Sequence, residues 1–330
     1  MKNKVIKVAT IQTKVGNDLD KNLIKTVEMV KQAAEKGAQI ICLQELFRTP
    51  YFPQYRKQDK ASSVGLQPRD KFTESVPGVS TDVFKKIAKE YGVVIIVPIY
   101  EKAKSKGGVW EYHNSAVVID DRGKLLPTYR KIHIPHDPGF YEKDYFKQSD
   151  SGYKLYKTKF GTFAVLICFD QWFPEAARTV RLLGAEMIFY PTAIGNVVGY
   201  TKDEDWHDAW EIMQRAHAIA NSLYVIGVNR VGVEGKIEFF GQSFVADPFG
   251  KILTRASKNK DEIMVTEIDL SRNAYVAEDW GFLRNRRPDT YKTLTKDVLI
   301  EKNPKLKNAK AYKDLKKALE KPSSAKATAR

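Results

Sequence analysis

The chain has 330 residues and a formal net charge of +15, from 55 Lys and Arg against 40 Asp and Glu. The length suits one domain with a large core, and nothing in it approaches the run of about 20 apolar residues that a membrane span needs. Two cysteines, Cys42 and Cys168, are too few for a disulfide framework and suit a reducing compartment.

In chain order, Val5–Ile11 reads as a strand; it alternates too much for a signal-peptide apolar region, so the cytoplasm is the expected location. Leu19, Leu23, Val27 and Val30 recur at helical spacing within Asp18–Glu35, and Gly37 is placed to close that helix. Residues 39–43 form a short buried strand that stops at Gln44-Glu45. Thr49–Gly78, punctuated by prolines, is long for a plain connection and is a candidate substrate-covering loop. Helix Ser80–Tyr91 and strand Val93–Tyr100 follow, then a hairpin pairing Ser115–Ile119 with Lys124–Tyr129 across Asp120–Gly123. Phe163–Ile167 is an apolar strand that runs into Cys168, with helix Pro174–Leu183 starting just beyond. Strand Met187–Tyr190, helix Asp205–Asn221 and strands Leu223–Val228, Phe239–Asp247, Lys251–Arg255 and Ile263–Ile268 complete the pattern. Alternating helices and strands mixed with hairpins predict a layered α/β architecture rather than a purely parallel sheet.

Three chemically complementary groups fall at strand ends: the Cys168 thiol, the Glu45 carboxylate and the Lys131 ammonium of Tyr129-Arg130-Lys131. Taken singly, each is ordinary, a buried cysteine, a paired acid and a solvated lysine. Together they form a nucleophile, a base and a cation. An ammonium beside the thiol is expected to make it more acidic than its usual value of roughly 8.5. Competing chemistry finds less support. Pro135 breaks the His133/His136 spacing, so no metal site is expected, and Gly235-Lys236 lacks the rest of a phosphate loop. His207 and His217 lie on the 205–221 helix and read as structural rather than as a base for the cysteine.

The segments Gln44-Glu45-Leu46-Phe47, Tyr129-Arg130-Lys131, Pro138-Gly139-Phe140-Tyr141-Glu142-Lys143, Asp170-Gln171-Trp172-Phe173-Pro174-Glu175 and Tyr190-Pro191-Thr192-Ala193-Ile194-Gly195 stand in register over most of the chain. In this order they resemble the nitrilase, or carbon-nitrogen hydrolase, superfamily. The resemblance implies a four-layer α-β-β-α sandwich with two mixed sheets, helical layers that pair in a homo-oligomer, and a Glu-Lys-Cys triad that needs no cofactor. It implies that Cys168 attacks an amide or ureido carbonyl, that Glu45 moves the proton, and that Lys131 with the Phe169 N–H stabilises the oxyanion. Glu142 is implied beside the triad in a supporting catalytic role. Within the superfamily the likeness is to hydrolases of N-carbamoyl amines, with N-carbamoylputrescine the expected small-molecule substrate; N-carbamoyl-β-alanine, other N-carbamoyl amino acids and ω-amides are the alternatives.

Tyr51, Asp170 and Trp172 adjoin the triad in sequence and are expected as substrate-binding walls, Asp170 favouring a cationic amine. The chain departs from the family at Asn196-Val197-Val198, where N-carbamoylputrescine hydrolases carry Ser-Glu-Pro and the glutamate meets the distal ammonium. Asp203, Glu204 or Asp205 would have to substitute, whereas a distal carboxylate would call on Arg178 or Arg230. Residues 1–295 are expected as the hydrolase domain. Residues 296–330, with 11 Lys and Arg against 4 Asp and Glu, form a basic tail that is solvated or docks through a helix over 309–320. Its shortage of aromatics argues against nucleic acid as a partner. An inactive scaffold of the same fold, or a binding module built on the tail, is the non-enzyme alternative.

Overall fold

A computed structural model describes residues 4–57, 69–199 and 205–296. The chain divides into two compact units, Met1–Leu283 and Arg284–Arg330. The first opens with β1 (Val5–Gln12), α1 (Leu19–Glu35), β2 (Ile40–Leu43), the short α2 (Arg69–Phe72), α3 (Val79–Tyr91), β3 (Val94–Lys104), β4 (Trp110–Ile119) and β5 (Tyr129–Arg130). It continues with β6 (Tyr156–Thr158), β7 (Gly161–Val165), α4 (Pro174–Leu183), β8 (Met187–Pro191), β9 (Gly195–Val197), α5 (Trp206–Asn221) and β10 (Tyr224–Val228). The closing elements are β11 (Val231–Glu234), β12 (Ile237–Phe240), β13 (Phe244–Ala246), β14 (Ile252–Arg255), β15 (Glu262–Asp269) and α6 (Ser271–Trp280).

Two six-stranded sheets run in the orders β15-β1-β2-β3-β4-β5 and β6-β7-β8-β10-β13-β14. Each has three parallel strands at its centre, β1-β2-β3 and β7-β8-β10, flanked by antiparallel neighbours. Strand periodicity sorts the side chains. Ile6 and Val8 of β1 share a core with Ala164 and Ile188 of the other sheet, while Ala9 and Ile11 face α1 and α3 through Val30, Phe84 and Ala88. The second sheet's outer face takes Ala177 and Val180 from α4 and Trp210 and Ala218 from α5. The result is the expected α-β-β-α sandwich. α1 begins where Asp18 accepts the N–H groups of Asp20 and Lys21.

Several expected elements differ. The 115–129 hairpin keeps its turn, with Gly123 at φ 77, but its return arm reduces to an isolated bridge at Leu125 and the two-residue β5. Pro127 has no N–H to give the ladder. The predicted strand 239–247 is two strands in different sheets, split where Gly241 and Gln242 take φ 60 and 56. The described part of Thr49–Gly78 is no cover. Tyr51, Phe52 and Phe72 are buried with Tyr100, Tyr145 and Phe146 in a third apolar cluster. In the second unit, Pro288–Thr290 and Lys292–Thr295 are single 3-10 turns, and Arg287 pairs with Asp289 at 2.6 Å. The predicted helix over 309–320 lies outside the described residues.

Candidate active site

The parallel centre of each sheet ends in a functional turn. β2 delivers Glu45 to a turn in which Leu46 adopts φ 50, and β7 delivers Cys168, itself at φ 44. Left-handed backbone at a non-glycine residue costs about 1–2 kcal/mol, so both turns need external support.

At the Glu45 turn that support is Arg230. Its guanidinium is fully buried and donates to the carbonyl oxygens of Glu45 at 2.9 Å, Leu46 at 2.8 Å and Thr49 at 3.1 Å, and to Glu234 at 2.8 Å. At the Cys168 turn it is Asp170. This carboxylate accepts the Ile167 N–H at 2.8 Å, the Tyr129 hydroxyl at 2.7 Å, and both the N–H and the ring Nδ1 of His133 at 3.0 and 2.7 Å. Tyr129 and His133 bracket Lys131, so the cysteine turn and the lysine segment are fastened to one another.

Lys131, Glu45 and Glu142 have no exposed side-chain surface. Lys131 Nζ donates to Glu45 Oε1 at 2.9 Å and to Glu142 Oε1 and Oε2 at 2.9 and 2.7 Å. Asn114 Nδ2 adds a bond to Glu45 Oε1 at 2.7 Å, and the Tyr51 hydroxyl adds one to Glu142 Oε1 at 2.8 Å. Glu45 Oε2 is buried and accepts no hydrogen bond. A buried acceptor left open costs about 1–3 kcal/mol, which a fold tolerates where the atom has work to do.

Charge in this cluster is unevenly shared. Burial alone would depress Lys131, but the Glu142 and Glu45 carboxylates overcome it and hold the ammonium above its ordinary pKa. Burial, with the Glu45 charge, pushes Glu142 up to about 7 against the pull of Lys131. The thiol reverses the expectation from sequence. Burial and then the Glu45 charge raise Cys168 well above the ordinary thiol value; Lys131 opposes them, and so does a hydrogen bond from the Ala193 N–H. Burial is the largest influence and the Glu45 charge the next, so the site disfavours the thiolate until its proton has somewhere to go.

Cys168 and Glu142 open onto a cavity of about 310 Å³, of the size that small-molecule sites occupy. Phe140, Phe169, Trp172, Ile194 and Trp206 are the large apolar residues of its wall. Trp172 is therefore where sequence placed it, and Tyr51 and Asp170 are not. Tyr51 is buried against Glu142, and all the bonding capacity visible on Asp170 is spent on the two turns described above. Arg230 is likewise consumed by main-chain carbonyls, and Arg178 donates to Ala220 O on the helical layer. Asp205 caps α5 through the Asp208 N–H; Asp203 and Glu204 lie outside the described residues. Val197 is apolar and buried with Ile237 and Phe239.

His217 Nε2 donates to Gln171 O at 2.8 Å, and burial lowers its pKa. Among the described residues no His, Cys, Asp and Glu cluster has metal-binding geometry, and no helix is long and apolar enough to cross a membrane. Sequence reasoning missed Asn114 and Arg230 in their supporting roles. Asn114 sits mid-strand on β4 with no local motif, and only the pairing of β4 beside β3 and β5 brings it to Glu45.

Residues 7–277 match the model of the family described as carbon-nitrogen hydrolase. The chain is 38% identical over 304 residues to an N-carbamoylputrescine amidase of Solanum lycopersicum, covering 89% of this chain and 96% of that protein. It is 34% identical over 290 residues to a citrullinase of Francisella tularensis, covering 87% and 96% respectively. A carbon-nitrogen hydrolase from Helicobacter pylori G27, known from its crystal structure, superposes with a TM-score of 0.78 at 39% identity, covering 89% of this chain and all of that one.

Proposed function

The chain belongs to the carbon-nitrogen hydrolase family and is a hydrolase of carbon–nitrogen bonds; within that family we propose that it cleaves an N-carbamoyl amine, N-carbamoylputrescine first among them, through a thiol-bound intermediate. The observation that carries the reading is the convergence of Glu45 and Glu142 on Lys131 Nζ, with Glu142 and Cys168 lining one cavity.

Because burial disfavours the thiolate, attack is coupled to proton removal. Glu45 Oε2, buried and open, takes the proton as Cys168 Sγ bonds to the ureido carbonyl carbon. The oxygen gains negative charge beside the Lys131 ammonium and the N–H of Phe169, which lies in the first turn of the 3-10 helix Cys168–Trp172, where amides have no helical partner. The C–N bond to the terminal nitrogen then breaks, Glu45 returns its proton, and ammonia leaves. Water, deprotonated by Glu45, attacks the thiocarbamate, the C–S bond breaks, and the sulfur recovers a proton. The released carbamic acid falls apart to carbon dioxide and the amine.

Arg178 and Arg230 are committed elsewhere, and no Lys or Arg lines the cavity among the described residues, which weighs against N-carbamoyl-β-alanine and other distal carboxylates. The relative named a citrullinase bears on the same ureido chemistry. Exposed Leu182, Leu183 and Ile212 on the α4 and α5 layer support a homo-oligomer. Two buried free thiols support a cytoplasmic setting. Ammonia release across N-carbamoyl amines, N-carbamoyl amino acids, simple amides and nitriles tests the reading. Preference for N-carbamoylputrescine is expected, and turnover confined to ω-amides contradicts it.

A further inference from the structure

We propose that Asp137 determines substrate specificity by receiving a primary ammonium at the far end of the molecule whose carbonyl Cys168 attacks. The inference rests on the N-carbamoyl amine reading and adds to it the residue that reads the amine.

Asp137 lines the same cavity as Cys168. The other carboxylate in that wall, Glu142, is occupied by Lys131 and Tyr51. Asp137 is exposed and makes no side-chain hydrogen bond or ion pair among the described residues, so it is open to an incoming cation. Among the described residues the neighbouring acids are engaged: Asp144 binds Arg56 at 2.9 Å, Asp170 ties the two turns together, and Asp205 caps α5.

The segment that presents Asp137 is held in place. Pro135 and Pro138 flank it, and the Phe140 N–H donates to Asp137 O at 2.8 Å. Gly139 has φ +80, and a Cβ built there would meet Val197 Cγ2 at 2.8 Å, so this loop lies tightly on β9. With Val197 apolar, the unpaired negative charge in the cavity wall comes, among the described residues, from position 137. Phe140, Trp172 and Trp206 share the wall and supply aromatic surface that favours a desolvated ammonium. A carboxylate beside aromatic rings, with no cation in the wall among the described residues, selects for an amine and against an acid.

The test compares kcat/KM for N-carbamoylputrescine with that for n-butylurea, which has the same chain length without the ammonium, in the native protein and in Asp137→Asn and Asp137→Lys. The native protein should prefer the charged substrate. Asp137→Asn should cut that preference about 10- to 100-fold, chiefly through KM, as loss of one charge-assisted hydrogen bond implies. Asp137→Lys should abolish it and improve N-carbamoyl-β-alanine relative to N-carbamoylputrescine. If the native preference stands and neither variant alters it, Asp137 is not the reader, while the substrate reading survives. If the native protein hydrolyses neither ureido compound, both inferences fall.

Discussion

The Asp170 carboxylate holds His133 twice, through its backbone N–H at 3.0 Å and its ring Nδ1 at 2.7 Å, and so fastens the turn carrying Cys168 to the segment carrying Lys131. An acid next to the nucleophile in sequence is thus a strut inside the fold. Asp170→Asn would turn an amide N–H₂ toward groups that already donate. The expected cost is about 1.5–3 kcal/mol of stability and at least about tenfold in kcat, with preference between charged and neutral ureido substrates unchanged. Chemical unfolding and steady-state kinetics check this; a selective loss on the charged substrate would return Asp170 to the binding wall.

Arg230 is expected to act on the base through backbone alone. Arg230→Met removes the donors to Glu45 O and Leu46 O and leaves Glu234 buried without its cation. Breaking one side of such a pair costs about 3–5 kcal/mol. Urea unfolding should show the loss, and Arg230→Lys should recover only part of it, because an ammonium lacks the planar fork that reaches several carbonyls at once.

The elevated Glu142 gives the reaction a pH signature. Its carboxyl titrates near 7 in the fold against an ordinary value of 4.5. If the ionised form is needed to hold Lys131, kcat/KM rises as pH increases through about 7, and Glu142→Gln removes that limb. The sign for stability is opposite. Between 4.5 and 7 the folded chain binds the extra proton, so stability from this group falls as pH climbs through that window. Rate profiles and melts across pH 4–9 read both trends.

Tyr51 reaches the chemistry only through Glu142. Its hydroxyl favours the ionised carboxylate, so Tyr51→Phe should move the acid limb to higher pH and lower kcat about tenfold below it, with little change in KM. A rise in KM with an unmoved limb would make Tyr51 a substrate contact instead.

Much of this was legible from residue order. Strand ends deliver Glu45 and Cys168 because each follows a short apolar run, and helices and strands alternating with hairpins implied a layered α/β fold. What stayed hidden depends on distant partners. Asp170 and Tyr51 looked like pocket walls because adjacency in sequence was the only guide, whereas their orientation is set by Tyr129, His133 and Glu142. The thiol's acidity was misjudged for a similar reason: one ammonium was counted, and the burial and the opposing Glu45 charge were not.

The most direct measurement is mass analysis of native protein acid-quenched during steady-state turnover of N-carbamoylputrescine, with Cys168→Ala treated in the same way. A carbamoyl-derived adduct on the peptide containing Cys168, absent in Cys168→Ala together with all turnover, is expected. Hydrolysis by Cys168→Ala, or an adduct placed on Cys42 instead, would contradict thiol attack at this site.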